Sequence, residues 1–109
     1  LTYEALAERS ALLARGLAAA VPEGAAVACL MRRGLELYLA YAAAARARRP
    51  FVPLSLDHRD ARAEALRWRD VLEVLQPEAV IVDDDGSRRL AALAGPKPRA
   101  LRLGDLERL

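Results

Sequence analysis

Ala79-Val80-Ile81-Val82 gives the strongest structural signal in this chain of 109 residues. Three of its four residues are β-branched, which favours a strand, and turn-forming residues stand on both sides of it. Gln76-Pro77-Glu78 precedes the run, and Asp83-Asp84-Asp85-Gly86-Ser87 follows it. We therefore predict a strand over residues 79–82 and assign the other elements outward from it.

Three further segments are predicted as short strands. The continuous apolar run from Ala25 to Met31 fits a strand that is buried on both faces. Phe51-Val52-Pro53-Leu54 is predicted as another, with Pro53 at its end or unpaired because proline has no N–H to donate. A last strand is predicted near residues 100–103, after the proline-rich loop at residues 95–98.

Apolar residues at helical spacing and a high alanine content predict four helices between these strands. The predicted helices span residues 3–20, 35–46, 61–75 and about 88–93. Their candidate N-caps are Thr2 for the first, Asp57 or Asp60 for the third, and Asp85 or Ser87 for the fourth. In the third helix we expect an apolar inward face and a charged outward face: Leu66, Val71, Leu72 and Leu75 inward, and Arg62, Arg67, Arg69, Asp70 and Glu73 outward.

Helices that alternate with short apolar strands imply a parallel sheet covered by helices on both faces. The predicted fold class is α/β, a Rossmann-like three-layer α/β/α arrangement with a short, mainly parallel sheet. The length allows one domain with one modest core, so we expect residues 1–109 to form a single unit.

Composition excludes several function classes. Seventeen Lys+Arg against fifteen Asp+Glu give a net charge of +2, and the basic group Arg46, Arg48 and Arg49 has no aromatic platform beside it, so we expect no nucleic-acid partner. Cys29 is the only cysteine, which rules out an internal disulfide. No stretch approaches the roughly 18 apolar residues of a spanning helix, so we expect no membrane partner and a cytoplasmic location.

The run Asp83-Asp84-Asp85 is the strongest local hint of a site, because ligands of open α/β sheets gather at the carboxyl ends of strands. Three carboxylates could hold Mg²⁺, but an Asp-Gly turn that caps the next helix is the better interpretation. A phospho-acceptor domain of the receiver type would also place an aspartate here. It would need an acidic pair after its first strand, where this chain has Met31-Arg32-Arg33.

The other candidates carry less. His58 could act as a general base, but no activated serine or cysteine can be placed beside it, so we expect a loop histidine. Arg33-Gly34 opens a helix and could meet an anion, although one glycine is a weak signal and a plain turn is preferred. For Trp68, Tyr38 and Tyr41 we expect core or interface packing. The site therefore has no assigned catalytic, cofactor-binding or metal-binding residues.

Two segments carry a resemblance to a known family. Leu1-Thr2-Tyr3-Glu4-Ala5-Leu6 resembles the opening L-[TS]-Y-x-E-L of adenylate-forming enzymes, and the stretch from Arg46 to His58 resembles their L-K-A-G-x-A-Y-V-P-[LI]-D-P segment. This superfamily contains nonribosomal peptide synthetase adenylation domains and acyl-CoA synthetases. The chain departs from the pattern at Arg48, which replaces a glycine in a turn where φ may need to be positive.

The resemblance implies a parent enzyme that activates a carboxylic acid with ATP and Mg²⁺ and passes the acyl group to a phosphopantetheine or coenzyme A thiol. It also implies that the catalytic motifs, including a T-S-G-[ST]-T-G-x-P-K loop, lie beyond this chain, and Lys97, the only lysine, does not match the family's lysine motif. We expect a catalytically incomplete N-terminal subdomain that binds no cofactor by itself. Its partners would be the remainder of the adenylation domain and possibly carrier or condensation domains.

The alternative is a free-standing, degenerate α/β scaffold that binds another protein through an alanine-rich face. A receiver-like signalling domain is a third possibility.

Overall fold

The computed structural model describes residues 2–54, 61–93 and 95–109. In these ranges helices and strands alternate along the chain, as the sequence predicts. The elements are α1 (Tyr3–Ala20), β1 (Val27–Leu30), α2 (Leu35–Arg46), β2 (Phe51–Leu54), α3 (Ala61–Leu75), β3 (Ala79–Val82), α4 (Asp84–Ala92), β4 (Arg99–Leu101) and α5 (Leu103–Glu107).

The four strands form one parallel sheet in the order β2-β1-β3-β4. The strands β1 and β3 lie at its centre, with Val27 opposite both Phe51 and Ala79. Every residue of these two central strands is buried. That burial explains why both read as uninterrupted apolar runs rather than as alternating patterns.

Alternate residues of the central strands enter two separate cores, one on each face of the sheet. Cys29 and Ile81 pack under α1, α2 and α5 in a cluster that includes Leu13, Leu17, Leu39 and Leu106. Leu30 and Val80 face the other side and pack under α3 and α4, with Trp68, Leu90 and Leu93. The fold is therefore a Rossmann-like three-layer α/β/α arrangement, as predicted.

Strand β2 is one edge of the sheet, and its proline lies where it costs no sheet hydrogen bond. Val27 N–H donates to the carbonyl of Pro50 at 2.8 Å. The alternation of a parallel ladder then turns the N–H and C=O of Val52 toward β1 and the corresponding groups of Phe51 and Pro53 outward. The missing N–H of Pro53 thus falls on the open side, which confirms that this proline is unpaired.

The turn between α2 and β2 confirms the expectation about Arg48. Its φ is 59°, in the left-handed region that favours glycine. Arg49, the next residue, donates from its guanidinium to the backbone carbonyls of Val21, Ala18 and Ala47. It therefore ties this turn to the end of α1, where free helix carbonyls carry partial negative charge.

The end of the chain differs from the prediction in two elements. Helix α4 begins at Asp84 rather than near Arg88, because Asp83 is its N-cap and accepts a hydrogen bond from Gly86 N–H. The predicted caps Asp85 and Ser87 were wrong. The last strand ends at Leu101, and α5, which the sequence did not predict, follows it and buries Leu103 and Leu106.

The faces of α3 also need a correction. Leu66 was expected to face inward, but 61% of it is exposed, whereas Glu64 is 4% exposed. Trp68 is buried at the centre of this helix, as expected. The predicted caps Asp57 and Asp60 lie outside the described residues. Tyr38 and Tyr41 on α2 are exposed rather than part of the core.

Candidate functional site

The carboxyl edge of the sheet is where the sequence placed its strongest candidate, and Asp83 is the residue that organises it. One carboxylate oxygen of Asp83 accepts from Gly86 N–H at 2.7 Å, and the other accepts from Arg32 N–H at 2.9 Å. Asp83 thus joins the segment after β1 to the start of α4. Both oxygens are engaged by backbone amides, which is the usual work of a capping aspartate.

Asp84 and Asp85 are engaged by arginines. Asp84 forms an ion pair with Arg102, and the hydrogen bond and charge of that guanidinium hold the pKa of Asp84 below its usual value. Burial pushes the pKa of Asp85 upward, but the charges of Arg32 and Arg89 outweigh it, so the pKa is lowered overall. Arg88 also lies 3.3 Å from Asp85. These carboxylates remain ionised at neutral pH.

This arrangement does not fit a Mg²⁺ or nucleotide-phosphate site. Within residues 2–54, 61–93 and 95–109 no group of three His, Cys, Asp or Glu side chains is placed to share a metal ion. The aspartate oxygens contact amides and guanidinium groups, which satisfy them without a cation. The open cleft beside them, about 900 Å³, is lined by nearly balanced charges of both signs. The turn-and-cap interpretation of residues 83–87 therefore holds.

Arg33 and Gly34 lie at the same edge of the sheet, at the start of α2. Gly34 is the N-cap residue, with φ of 155°, and makes no side-chain cap. The structure brings this turn beside Asp83 and Asp85, so carboxylates face a helix start that would otherwise attract an anion. The plain-turn interpretation fits these neighbours.

Glu64 is the feature at this end of the molecule that sequence reasoning missed. Its carboxylate lies 3.0 Å from the Arg89 guanidinium, and its second oxygen, Oε2, is buried without a hydrogen-bond partner. Arg89 in turn lies 3.5 Å from Asp85. The signal was a glutamate one turn before Trp68 on the apolar face of α3, which was read as a surface position.

The remaining candidates do not gather into a site. Burial, aided by the charge of Asp83, raises the pKa of the Cys29 thiol to about 12, so this cysteine stays protonated and unreactive. The Lys97 ammonium donates to the carbonyl of Ala91. His58 lies outside the described residues.

The geometry therefore describes a scaffold edge held together by capping and ion pairs, and comparisons with known proteins identify it. A sequence model of the AMP-binding enzyme family matches residues 1–105. This chain belongs to the AMP-binding enzyme family. No match was found among curated protein sequences. The family match covers every element from α1 to β4 and reaches into α5, so the fold as a whole is that of an AMP-binding enzyme segment.

Solved structures of AMP-binding enzymes superpose on the whole chain. A structure from studies of fatty acyl-adenylate ligases from E. coli and L. pneumophila matches with a TM-score of 0.84 and 23% identity, over 100% of this chain and 20% of that one. The N-terminal subdomain of Klebsiella oxytoca NpsA, in complex with 3-hydroxyanthranilyl-AMSN, matches with a TM-score of 0.73 and 25% identity, over 99% of this chain and 25% of that one.

The structure of McyG A-PCP complexed with phenylalanyl-adenylate matches with a TM-score of 0.83 and 14% identity, over 98% of this chain and 18% of that one. Matches at these low identities establish the fold of the segment. The chain spans between about a fifth and a quarter of the length of these three structures. Among the described helices none is long and apolar enough to cross a membrane.

Proposed function

We propose that this chain is the N-terminal subdomain of an ATP-dependent enzyme that activates a carboxylic acid as an acyl- or aminoacyl-adenylate. The observation that carries the proposal is the family match over residues 1–105, together with the superposition of the whole chain on about a fifth of an acyl-adenylate ligase structure. In this proposal residues 1–109 are one piece of a longer, cytoplasmic protein.

The role of the piece is structural. The cleft at the carboxyl edge presents arginine–aspartate pairs and capped helix starts, and it offers no set of ligands for ATP or Mg²⁺. We therefore assign ATP and Mg²⁺ binding, the adenylating lysine and the thiol acceptor to the rest of the parent enzyme. This chain contributes a four-stranded sheet with a core on each face, which can support the neighbouring part of a larger domain.

The substrate is assigned only as a carboxylic acid. The titles of the similar structures name fatty acyl, hydroxyanthranilyl and phenylalanyl adenylates, so one fold segment occurs with acids of very different shape. Two of the similar structures join an adenylation domain to a carrier protein. A carrier domain is accordingly the thiol-bearing partner that we propose for the parent enzyme.

The compactness of the chain favours a second candidate, a free-standing scaffold. Its radius of gyration is 13.5 Å, close to the roughly 13 Å expected for a globular chain of this length. Such a chain could fold alone and bind another protein.

The two candidates predict different genes. If the gene continues past Leu109 into a Ser/Thr/Gly-rich loop ending in Pro-Lys, the enzyme proposal is supported, and the product should catalyse acid-dependent exchange of pyrophosphate into ATP. A stop codon directly after Leu109 would favour the scaffold and overturn the enzyme proposal.

A further inference from the structure

Helix α2 differs from the other long helices because it has no polar face. Its twelve residues include two charged side chains, Glu36 and Arg46, whereas the fifteen residues of α3 include six. A surface helix normally pairs an apolar stripe with a polar one, and a helix that is apolar all round is buried. One side of α2 is buried against α1 and the sheet. The other side exposes Tyr38 and Tyr41, 64% and 59% accessible, and Leu35.

The edge strand β2 continues this apolar surface. Tyr41 packs edge-on against Phe51, with ring centroids 5.6 Å apart. A groove of about 300 Å³ runs between helix and strand and is lined by Leu37, Tyr38, Tyr41, Phe51 and Pro53, with Arg33 at one end. Beside the groove, β2 turns outward the N–H and C=O of Phe51 and the C=O of Pro53, and these groups can pair with an added strand.

The opposite edge of the sheet is protected. Strand β4 is three residues long, begins with Arg99 and is followed by Arg102. Arg102 pairs with Asp84, and Arg99 donates to the carbonyl of Ala20. Short edge strands flanked by charges are a common way to prevent edge pairing. Strand β2 has no charged residue, so the two edges differ in what they can accept.

We propose that a segment of the parent chain from beyond residue 109 lies extended along β2 and places an apolar side chain in the groove between Tyr38 and Pro53. This inference rests on the proposed function, since it requires a longer chain. Its support is that the similar structures are four to five times longer than this chain. Most of such a protein must therefore be packed elsewhere, and an uncharged sheet edge beside an apolar helix face is the surface suited to receive it.

Backbone hydrogen exchange tests the edge pairing. Phe51 N–H faces outward and should exchange rapidly in the 109-residue chain, whereas Val52 N–H, turned toward β1, should be protected. In the gene-length protein we expect exchange of Phe51 N–H to slow by at least about tenfold, because it gains a partner and is shielded from water. Val52 is the matched control and should be slow in both proteins. Unchanged rapid exchange of Phe51 in the longer protein would overturn the proposal.

Substitutions test the apolar contact. Tyr38→Ser should leave the melting temperature of the 109-residue chain within about 1 °C, because the ring is mostly exposed there. In the gene-length protein it should lower the melting temperature by several degrees. Tyr3→Ser is the control, since Tyr3 is 87% exposed on α1, away from the groove. Equal effects of the two substitutions in the longer protein would contradict docking at this surface.

Two further outcomes separate the alternatives. If the 109-residue chain forms a dimer by light scattering and Tyr38→Ser dissociates it, the occupant is a second copy and the proposal is wrong. If the gene-length protein shows ATP–pyrophosphate exchange but Phe51 remains unprotected, the docking proposal fails while the proposed function stands. A gene that ends at Leu109 removes the proposed function and the docking segment together, and the exchange rate of Phe51 in the short chain then has no longer form to differ from.

Discussion

Gly86 lies where helix α4 meets the end of β1, and its replacement by alanine tests that contact. A Cβ atom at this position would lie 1.8 Å from the carbonyl oxygen of Leu30 and 2.9 Å from its carbon. An ordinary contact needs more than 3 Å, so helix or strand must move by more than an ångström. The same glycine donates its N–H to Asp83, so the movement also weakens the cap of α4.

The magnitude follows from opposing effects. Overpacking against backbone costs about 3 kcal/mol, and the weakened cap costs about 1 kcal/mol. Alanine gains about 1 kcal/mol of helix propensity over glycine. We expect Gly86→Ala to lower the free energy of unfolding by roughly 3 kcal/mol, which corresponds to a fall of about 10 °C or more in melting temperature for a chain of this size.

Gly104, a helical glycine in α5, is the matched control. The nearest atom to its added Cβ is the Arg108 Nη2 at 3.9 Å, so Gly104→Ala has room and should be neutral or stabilising by up to about 1 kcal/mol. Thermal unfolding followed by circular dichroism measures both variants. The reasoning is refuted if Gly86→Ala melts within 2 °C of the parent chain, or if the two alanine variants lose the same stability.

Three further predictions concern buried or capping groups. The pKa of Cys29 is raised to about 12 from 9.0, so its stabilising effect is present below pH 9 and is lost as pH rises toward 12. Urea unfolding should show a loss of about 1.4 kcal/mol between pH 8 and pH 10 that is absent in Cys29→Ala, and parallel pH profiles would contradict the assigned burial. Arg89→Ala leaves the buried Glu64 without its guanidinium and should cost about 3 kcal/mol, and adding Glu64→Leu to that variant should recover part of it; a double variant no more stable than Arg89→Ala would argue against the pair. Asp83→Ala removes acceptors for two backbone amides and should cost about 1 to 2 kcal/mol by the same assay, whereas Asp84→Ala at the exposed neighbouring position should have little effect; equal losses would argue against the cap.

Regular elements were predictable where one physical cause dominates. Helices α1, α2 and α3 and strands β2 and β3 have the predicted bounds, because apolar periodicity, proline and glycine positions, and β-branching all agree there. The edge position of Pro53 followed from its missing N–H alone. The positive φ of Arg48 followed from the glycine that the family has at this turn.

The misses share a cause, which is that tertiary contacts override local pattern. Helix α5 is five residues long and exists because Leu103 and Leu106 reach the core beside α1, where Gly16 allows the two helices to touch. Glu64 is buried because Arg89, 25 residues away, supplies its counter-charge. Neither partner is visible from the local sequence.

The candidate site was predictable in location and less so in role. The carboxyl edge of the sheet was expected to collect Asp83–Asp85, and it does. The identity of the capping residue was missed by two positions, because Asp83, Asp85 and Ser87 are all good caps and sequence alone does not say where the helix begins. The arginines that engage Asp84 and Asp85 come from three other segments of the chain.

ATP–pyrophosphate exchange tests the central claim most directly, namely that this fold segment belongs to a carboxylate-activating enzyme and is incomplete alone. The gene-length protein and the 109-residue chain should be assayed side by side with fatty, aromatic and amino acids. We predict acid-dependent exchange by the gene-length protein and none by the 109-residue chain. Exchange by the short chain alone, or no exchange by the long protein with any class of acid, would contradict the account.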